Sequence, residues 1–125
     1  MNLDLAQMEV AADDASELLK SLANRHRLLI LCQLTNDERS VGDLAASLGL
    51  RDSTVSQHLS LLRREGLVQA RRDGQTIWYA IASLPARRLL ETVFEIFCKS
   101  NASRVPPRAK RSKAQAVARR LPRKP

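Results

Sequence analysis

Aromatic side chains are scarce in this chain of 125 residues, which contains one Trp, one Tyr and two Phe. So few rings cannot build the stacking surface on which proteins hold single-stranded nucleic acid. The sequence also contains no nucleophile elbow, no phosphate-binding glycine loop and no HExxH pair, and neither of its two cysteines has an activating base beside it. We therefore expect neither an enzyme nor a protein that needs a cofactor.

Long apolar segments are missing as well. No stretch is long enough to cross a bilayer, and no lipidation signal is present. The first residues, MNLDLAQMEVAADDASELL, are acidic and amphipathic, whereas a signal peptide is basic and then apolar. These observations predict a cytoplasmic protein.

Acidic residues are absent from residues 101–125, which contain nine Lys or Arg and four prolines. Residues 1–100 are nearly neutral, with 12 Lys or Arg against 13 Asp or Glu. A basic, proline-rich segment cannot bury enough apolar surface to offset its ordering entropy, so we expect a disordered tail after one domain in residues 1–100. A domain of this size gains stability from a dimer partner.

The stretch DSTVSQHLSLLRREGLVQARRDGQTIWYAI, residues 52–81, begins with a helical pattern. Asp52 or Ser53 is the predicted N-cap, and Gly66 suits the left-handed position after the helix. Helical spacing predicts an inward stripe of Val55, His58, Leu59 and Leu62. Short polar side chains near a helix N-terminus suit base edges in the major groove, and later arginines suit phosphates. The candidate DNA contacts are Ser53, Thr54, Ser56, Gln57, His58, Arg63 and Arg64. An ordinary amphipathic surface helix is the alternative.

After Gly66 the side-chain pattern repeats every two residues, which predicts a β-hairpin. Asp73-Gly74 is the expected turn between the two strands. Arg71, Arg72 and Gln75 cluster at the tip, where they are candidate contacts to the DNA backbone or minor groove. Trp78 and Tyr79 are expected to pack in the sheet and core.

The preceding residues predict two more helices. Ser40 is the expected N-cap, with Asp43 at N3, of a short helix that ends at Gly49. This helix and the next form a helix-turn-helix. Asn24 caps a helix through about Thr35 that has almost no polar side, so we expect it to be the buried centre.

Two further helices bracket the helix-turn-helix, one over roughly residues 4–22 and one from about Pro85 to Lys99, with Ser83 as its cap. Their apolar stripes need a partner surface, within the chain or on a second copy. The last helix contributes Ala86, Leu89, Leu90, Val93, Phe94, Phe97 and Cys98. The predicted fold class is mainly α with a small β-hairpin: a winged helix-turn-helix, dimeric.

The runs LANRHRLLILCQL and ERSVGDLAASLGLRDSTVSQHLSLLRREGLVQARRDGQTIWYAI resemble the ArsR/SmtB family of bacterial winged-helix repressors. The resemblance covers roughly residues 12–100 and is strongest to the persulfide-sensing branch represented by BigR and SqrR. It implies a homodimer formed by the first and last helices, an inverted-repeat operator in double-stranded DNA, and a dithiol switch of Cys32 and Cys98. Reactive sulfur species would be the inducer.

The metal sensors of that family have cysteines where this chain has Ser40 and Gly42, and they have Asp and His on the last helix, where residues 85–99 have neither. With only His26 and His58 available, one protomer lacks the ligands for a tetrahedral metal site. Three alternatives remain at this point. Cys32 and Cys98 could be simple core residues; the inducer could be a metal or arsenite; or the chain could be a nucleoid-type DNA-binding protein that senses nothing.

Overall fold

Five helices and a three-stranded antiparallel sheet make up the computed structural model, which describes residues 3–98. In chain order the elements are α1 (Leu5–Leu22), α2 (Arg25–Leu34), β1 (Arg39–Ser40), α3 (Val41–Leu48), α4 (Asp52–Arg64), β2 (Val68–Asp73), β3 (Thr76–Ile81), α5 (Leu84–Val93) and a π-helical turn (Phe94–Cys98). The fold class is that of a winged helix-turn-helix, as the sequence predicts. The predicted basic tail, residues 101–125, lies outside the described residues.

The core surrounds α2, which the sequence predicts as the buried centre. The Asn24 side chain caps this helix by accepting a hydrogen bond from the Arg27 N–H at 3.1 Å. Buried side chains from α2, α3, α4, the sheet and α5 then form one apolar cluster. Its largest fully buried members are Ile30, Leu31, Leu34, Leu44, Val55, Leu59, Leu62 and Leu90.

The helix-turn-helix consists of α3 and α4. The Ser40 hydroxyl accepts a hydrogen bond from the Asp43 N–H at 3.1 Å, and Gly49 ends α3 with a φ of 68°, so both predicted ends are confirmed. The predicted cap of α4 is wrong, because the helix begins one residue early. Arg51 is the N-cap and forms no side-chain capping hydrogen bond, while Asp52 lies in the first turn, where its carboxylate opposes the positive end of the helix dipole.

Gly66 ends the α4 segment as predicted, with a φ of 79°. Its N–H donates to the Arg63 carbonyl at 3.0 Å, and the Leu67 N–H donates to the Leu62 carbonyl at 2.9 Å. These two bonds form a Schellman motif, which satisfies the last carbonyls and turns the chain into β2.

The wing is the hairpin of β2 and β3, with Val68 opposite Ile81 and Asp73 opposite Thr76. The loop is therefore Gly74-Gln75 and not the predicted Asp73-Gly74. A positive φ of 64° at the first loop position requires glycine, whereas Asp73 extends the strand. The sheet order is β1-β3-β2, and β1 is a strand that the sequence did not predict.

The first and last helices extend beyond the core. Only Ser21 and Leu22 are buried in α1. The Ser83 cap of α5 is confirmed, since its hydroxyl accepts from the Ala86 N–H at 3.2 Å, but the α-helix stops at Val93 and continues as the π-helical turn. The predicted continuous α-helical stripe is therefore wrong beyond Val93. Among the described residues, no helix combines the length and the apolar character that a membrane crossing needs.

Candidate nucleic-acid interface and thiol pair

The outward face of α4 presents the short polar side chains that the sequence singles out. Val55, Leu59 and Leu62 are buried against the core and fix the rotation of the helix. The opposite face is thereby left to solvent: Ser53, Ser56, Gln57, Arg63 and Arg64 are exposed, and Thr54 is half-buried. The hydroxyl and amide groups of these side chains lie in the first half of the helix, and both arginines lie in its last turn.

His58 lies between the two faces of α4 and is half-buried. Its ring meets that of His26 on α2 edge to face, with centroids 5.8 Å apart. Its Nδ1 atom is buried and has no hydrogen-bond partner within the described part of the chain. Burial, and then the nearby His26 and Arg27, lower the pKa of His58. The contact with His26 joins two distant parts of the sequence and was not predicted.

The wing arginines differ in their surroundings. Arg71 donates two hydrogen bonds to the Glu38 carboxylate, from Nε to Oε2 at 3.0 Å and from Nη2 to Oε1 at 2.7 Å. The hydrogen bond to Glu38 raises the pKa of Arg71. Arg72 and Gln75 are exposed. Sequence reasoning missed Glu38, because nothing local distinguishes it from a solvated acid.

Cys32 lies on α2, as predicted, whereas Cys98 lies at the end of the π-helical turn and not on a continuous last α-helix. Cys32 is half-buried against the core, whereas Cys98 is exposed, and both are free thiols. Burial raises the pKa of the Cys32 thiol, and the charge of a Cys98 thiolate raises that pKa further.

Exposed apolar side chains are concentrated on α1 and the π-helical turn. Val10 is 88% exposed, Phe94 57% and Phe97 59%. Within residues 3–98, no three His, Cys, Asp or Glu side chains are grouped so that they could hold a metal ion.

The fold and the polar face of α4 define a DNA-binding regulator of the winged helix-turn-helix class. The family model for bacterial regulatory proteins of the arsR family matches residues 24–70. The transcriptional activator HlyU of Vibrio cholerae is 41% identical over 99 residues, which are 79% of this chain and 92% of that protein. This chain therefore belongs to the ArsR family of bacterial transcriptional regulators, which are not enzymes.

Solved structures agree with this assignment. The transcriptional repressor BigR from Xylella fastidiosa aligns with a TM-score of 0.73 at 35% identity, over 77% of this chain and 98% of that one. A homodimeric winged helix-turn-helix DNA-binding domain from Mycobacterium bovis aligns with a TM-score of 0.64 at 31% identity, over 84% of this chain and 96% of that one.

Proposed function

We propose that this chain is a homodimeric repressor that binds an inverted-repeat operator and releases it when a polysulfide links Cys32 to Cys98. The sensing part is supported by the cysteine content and the exposure of the two thiols: Cys32 and Cys98 are the only two cysteines in the chain, Cys32 is half-buried on α2, and Cys98 is exposed.

The proposed DNA interface combines α4 with the wing. The α4 contacts to base edges and phosphates are Ser53, Thr54, Ser56, Gln57, His58, Arg63 and Arg64, and the wing residues are Arg71, Arg72 and Gln75. In a two-fold dimer the two copies of α4 enter successive major grooves, so the half-sites lie about one helical turn apart or a multiple of it.

A substitution at Gln57 tests the proposed base contacts of α4. It is exposed in the first half of α4, and a Gln side chain forms two hydrogen bonds to adenine. Gln57→Ala should weaken binding to the selected inverted repeat by about 1–3 kcal/mol, while binding to random duplex changes little. Equal weakening on both duplexes would make Gln57 a backbone contact.

The proposed dimer surface is the exposed apolar surface of α1 and the π-helical turn. Large apolar side chains grouped on a small domain mark an interaction site. The homodimeric Mycobacterium bovis neighbour supports a second copy of the chain as the partner.

The proposed chemistry needs a sulfur donor as the oxidant. The exposed Cys98 thiolate attacks the central sulfur of an inorganic trisulfide and displaces hydrosulfide, which leaves a Cys98–S–SH adduct. The Cys32 thiolate then attacks the sulfur bonded to Cys98 Sγ and displaces a second hydrosulfide. The product is a Cys32–S–Cys98 trisulfide, and the donor has been reduced by two electrons to two sulfides.

The proposed preference for a sulfur donor rests on the length of the bridge. A direct disulfide needs Cα atoms within about 7 Å, which two separate helical segments need not satisfy. An inserted sulfur lengthens the bridge, so a trisulfide needs a smaller backbone movement than a disulfide does, and peroxide supplies no such atom. The link would draw the π-helical turn toward α2 and shift the two copies of α4 out of register with the operator.

Mass spectrometry and DNA binding together test the switch. Polysulfide treatment should yield an intraprotomer bridge one sulfur heavier than a disulfide and should abolish operator binding, and a thiol reductant should reverse both. Cys32→Ser and Cys98→Ser should each bind the operator but not release it. If the double Ser variant still released DNA, the two thiols would have no role in sensing. Cysteine-dependent release by arsenite alone would make a two-thiol metalloid ligand the inducer.

A further inference from the structure

On the wing, Arg71 forms an ion pair with a residue outside the hairpin. Its guanidinium forms a two-point contact with Glu38, with an N–O distance of 2.7 Å for the shorter bond, and it lies 3.9 Å from Asp73 as well. Its side chain is 52% exposed and that of Glu38 only 30% exposed. A paired fork of this kind fixes the direction of an arginine as well as its position.

The contact spans the sheet. Arg71 on β2 lies opposite Trp78 on β3, and Trp78 lies opposite Ser40 on β1, two residues after Glu38. Because neighbouring strands are about 4.8 Å apart, the outer strands are separated by roughly 10 Å. The ion pair therefore crosses over the middle strand and ties the wing to the segment that enters the helix-turn-helix.

Arg72, the next residue, points to the other face of the strand. It forms no hydrogen bond or ion pair with the rest of residues 3–98. Arg71 already uses Nε and one Nη2 hydrogen on Glu38. A phosphate contact by Arg71 would therefore either break these two bonds or, through the remaining donors, place the phosphate beside the Glu38 carboxylate. A contact by Arg72 has neither cost.

We propose that Arg71 is a positioning residue: paired with Glu38, it braces the wing at a fixed angle to α4, and Arg72 is the wing arginine that neutralises phosphate. This inference rests on the proposed DNA-binding mode and changes one part of it: of the two wing arginines, only Arg72 contacts DNA, and Arg71 supports the wing. The Arg71–Glu38 ion pair is present in the DNA-free protein, so part of the test needs no DNA.

The first measurement is amide hydrogen exchange of the full-length, DNA-free chain. The pair-deleting variant Glu38→Gln/Arg71→Gln should exchange the β2 and β3 amides about two- to fivefold faster, the change in opening that an exposed ion pair produces. The charge swap Glu38→Arg/Arg71→Glu should restore the original rates. If the amide exchange rates of the pair-deleting variant were unchanged, Arg71 would not be a positioning residue.

The second measurement is the salt dependence of binding to a duplex that the unmodified chain selects from a random pool. The double Gln variant loses the contact that positions the wing, so it should bind the duplex more weakly. Because the Arg71–Glu38 pair has no net charge and contacts no phosphate, the salt slope of this variant should not change. The charge-swap variant should regain the affinity. Arg72→Gln, the matched control, should lower the slope by about 0.9 log unit.

Two results separate the hypotheses. A slope reduced by about 0.9 log unit in the double Gln variant, together with a swap that fails to rescue binding, would show that Arg71 contacts phosphate and would overturn the inference. If the unmodified chain selected no duplex, the proposed function would be refuted instead. The exchange rates would still show whether the Arg71–Glu38 pair holds the wing in place.

Discussion

His58 is the residue of α4 whose protonation is most constrained by its surroundings. Burial of the ring, and then His26 and Arg27 on α2, disfavour its charged form and lower its pKa. The unfolded chain has an ordinary His pKa of about 6.5, so it binds a proton more readily than the folded chain does. The stability that this His contributes is therefore present above pH 6.5 and is lost as the pH falls toward the lower folded-state pKa.

We accordingly expect the free energy of unfolding to decrease between about pH 7 and pH 5.5. His58→Gln removes the titrating group and should flatten this dependence. Urea midpoints of both proteins across the range check it. Parallel curves for the two proteins would mean that the pH dependence has another source.

Residues also differ in how much of their role the sequence reveals. Asn24, Ser40 and Ser83 were predicted as caps because a capping bond joins atoms two or three residues apart. Glu38 and His26 were not singled out as partners of Arg71 and His58, because those contacts join segments more than 30 residues apart and depend on the folded sheet and core.

At the scale of elements, two glycines, Gly66 and Gly42, allow a matched comparison of the effect of an alanine substitution on stability. Gly66 has a φ of 79°, and no atom lies within 4 Å of the Cβ that a substitution would add. The cost of Gly66→Ala is therefore purely conformational, and we expect the free energy of unfolding to fall by about 1–2 kcal/mol.

Gly42 is the control for that substitution. It lies inside α3, and an added Cβ would approach only the Ser40 hydroxyl, at 3.9 Å. Since alanine is the better helix former, Gly42→Ala should leave stability unchanged or raise it by up to about 1 kcal/mol. Chemical denaturation of both variants gives the comparison, and equal effects would refute the conformational explanation.

The elements that could be predicted from the sequence are those whose ends are set by nearby residues. Capping residues and glycines delimit α3 within its own sequence, so both of its ends were predicted. The two-residue β1 strand exists only because β3 lies beside it, and two residues carry no periodicity of their own. The π-helical turn replaces a predicted α-helix although the apolar spacing continues through Cys98, so spacing alone did not reveal it.

At the scale of the whole molecule, the exposed apolar surface of α1 and the π-helical turn predicts an oligomeric state. Phe97 is 59% exposed within one chain. Burying a Phe side chain contributes about 1.5–3 kcal/mol, and a two-fold dimer buries each such residue twice. Phe97→Asp should therefore weaken the dimer at least about tenfold.

Sedimentation equilibrium measures that change. Gln69→Asp adds the same charge at an exposed position on the wing and should leave the dimer intact. The Phe97→Asp variant should also lose its preference for an inverted repeat over a single half-site. A Phe97→Asp protein that remains fully dimeric would place the interface elsewhere.

The distribution of charge predicts a separate role for residues 101–125, which lie outside the described structure. They hold nine positive charges, while residues 1–100 are nearly neutral. If the tail lies along phosphates that flank the operator, its removal after Ser100 should weaken binding and reduce the salt slope by about 0.9 log unit for each phosphate that is no longer neutralised. Sequence preference should persist, because α4 is unchanged. Titrations of the full-length and truncated chains at several salt concentrations provide the measurement, and an identical slope would make the tail a solubilising or interaction segment.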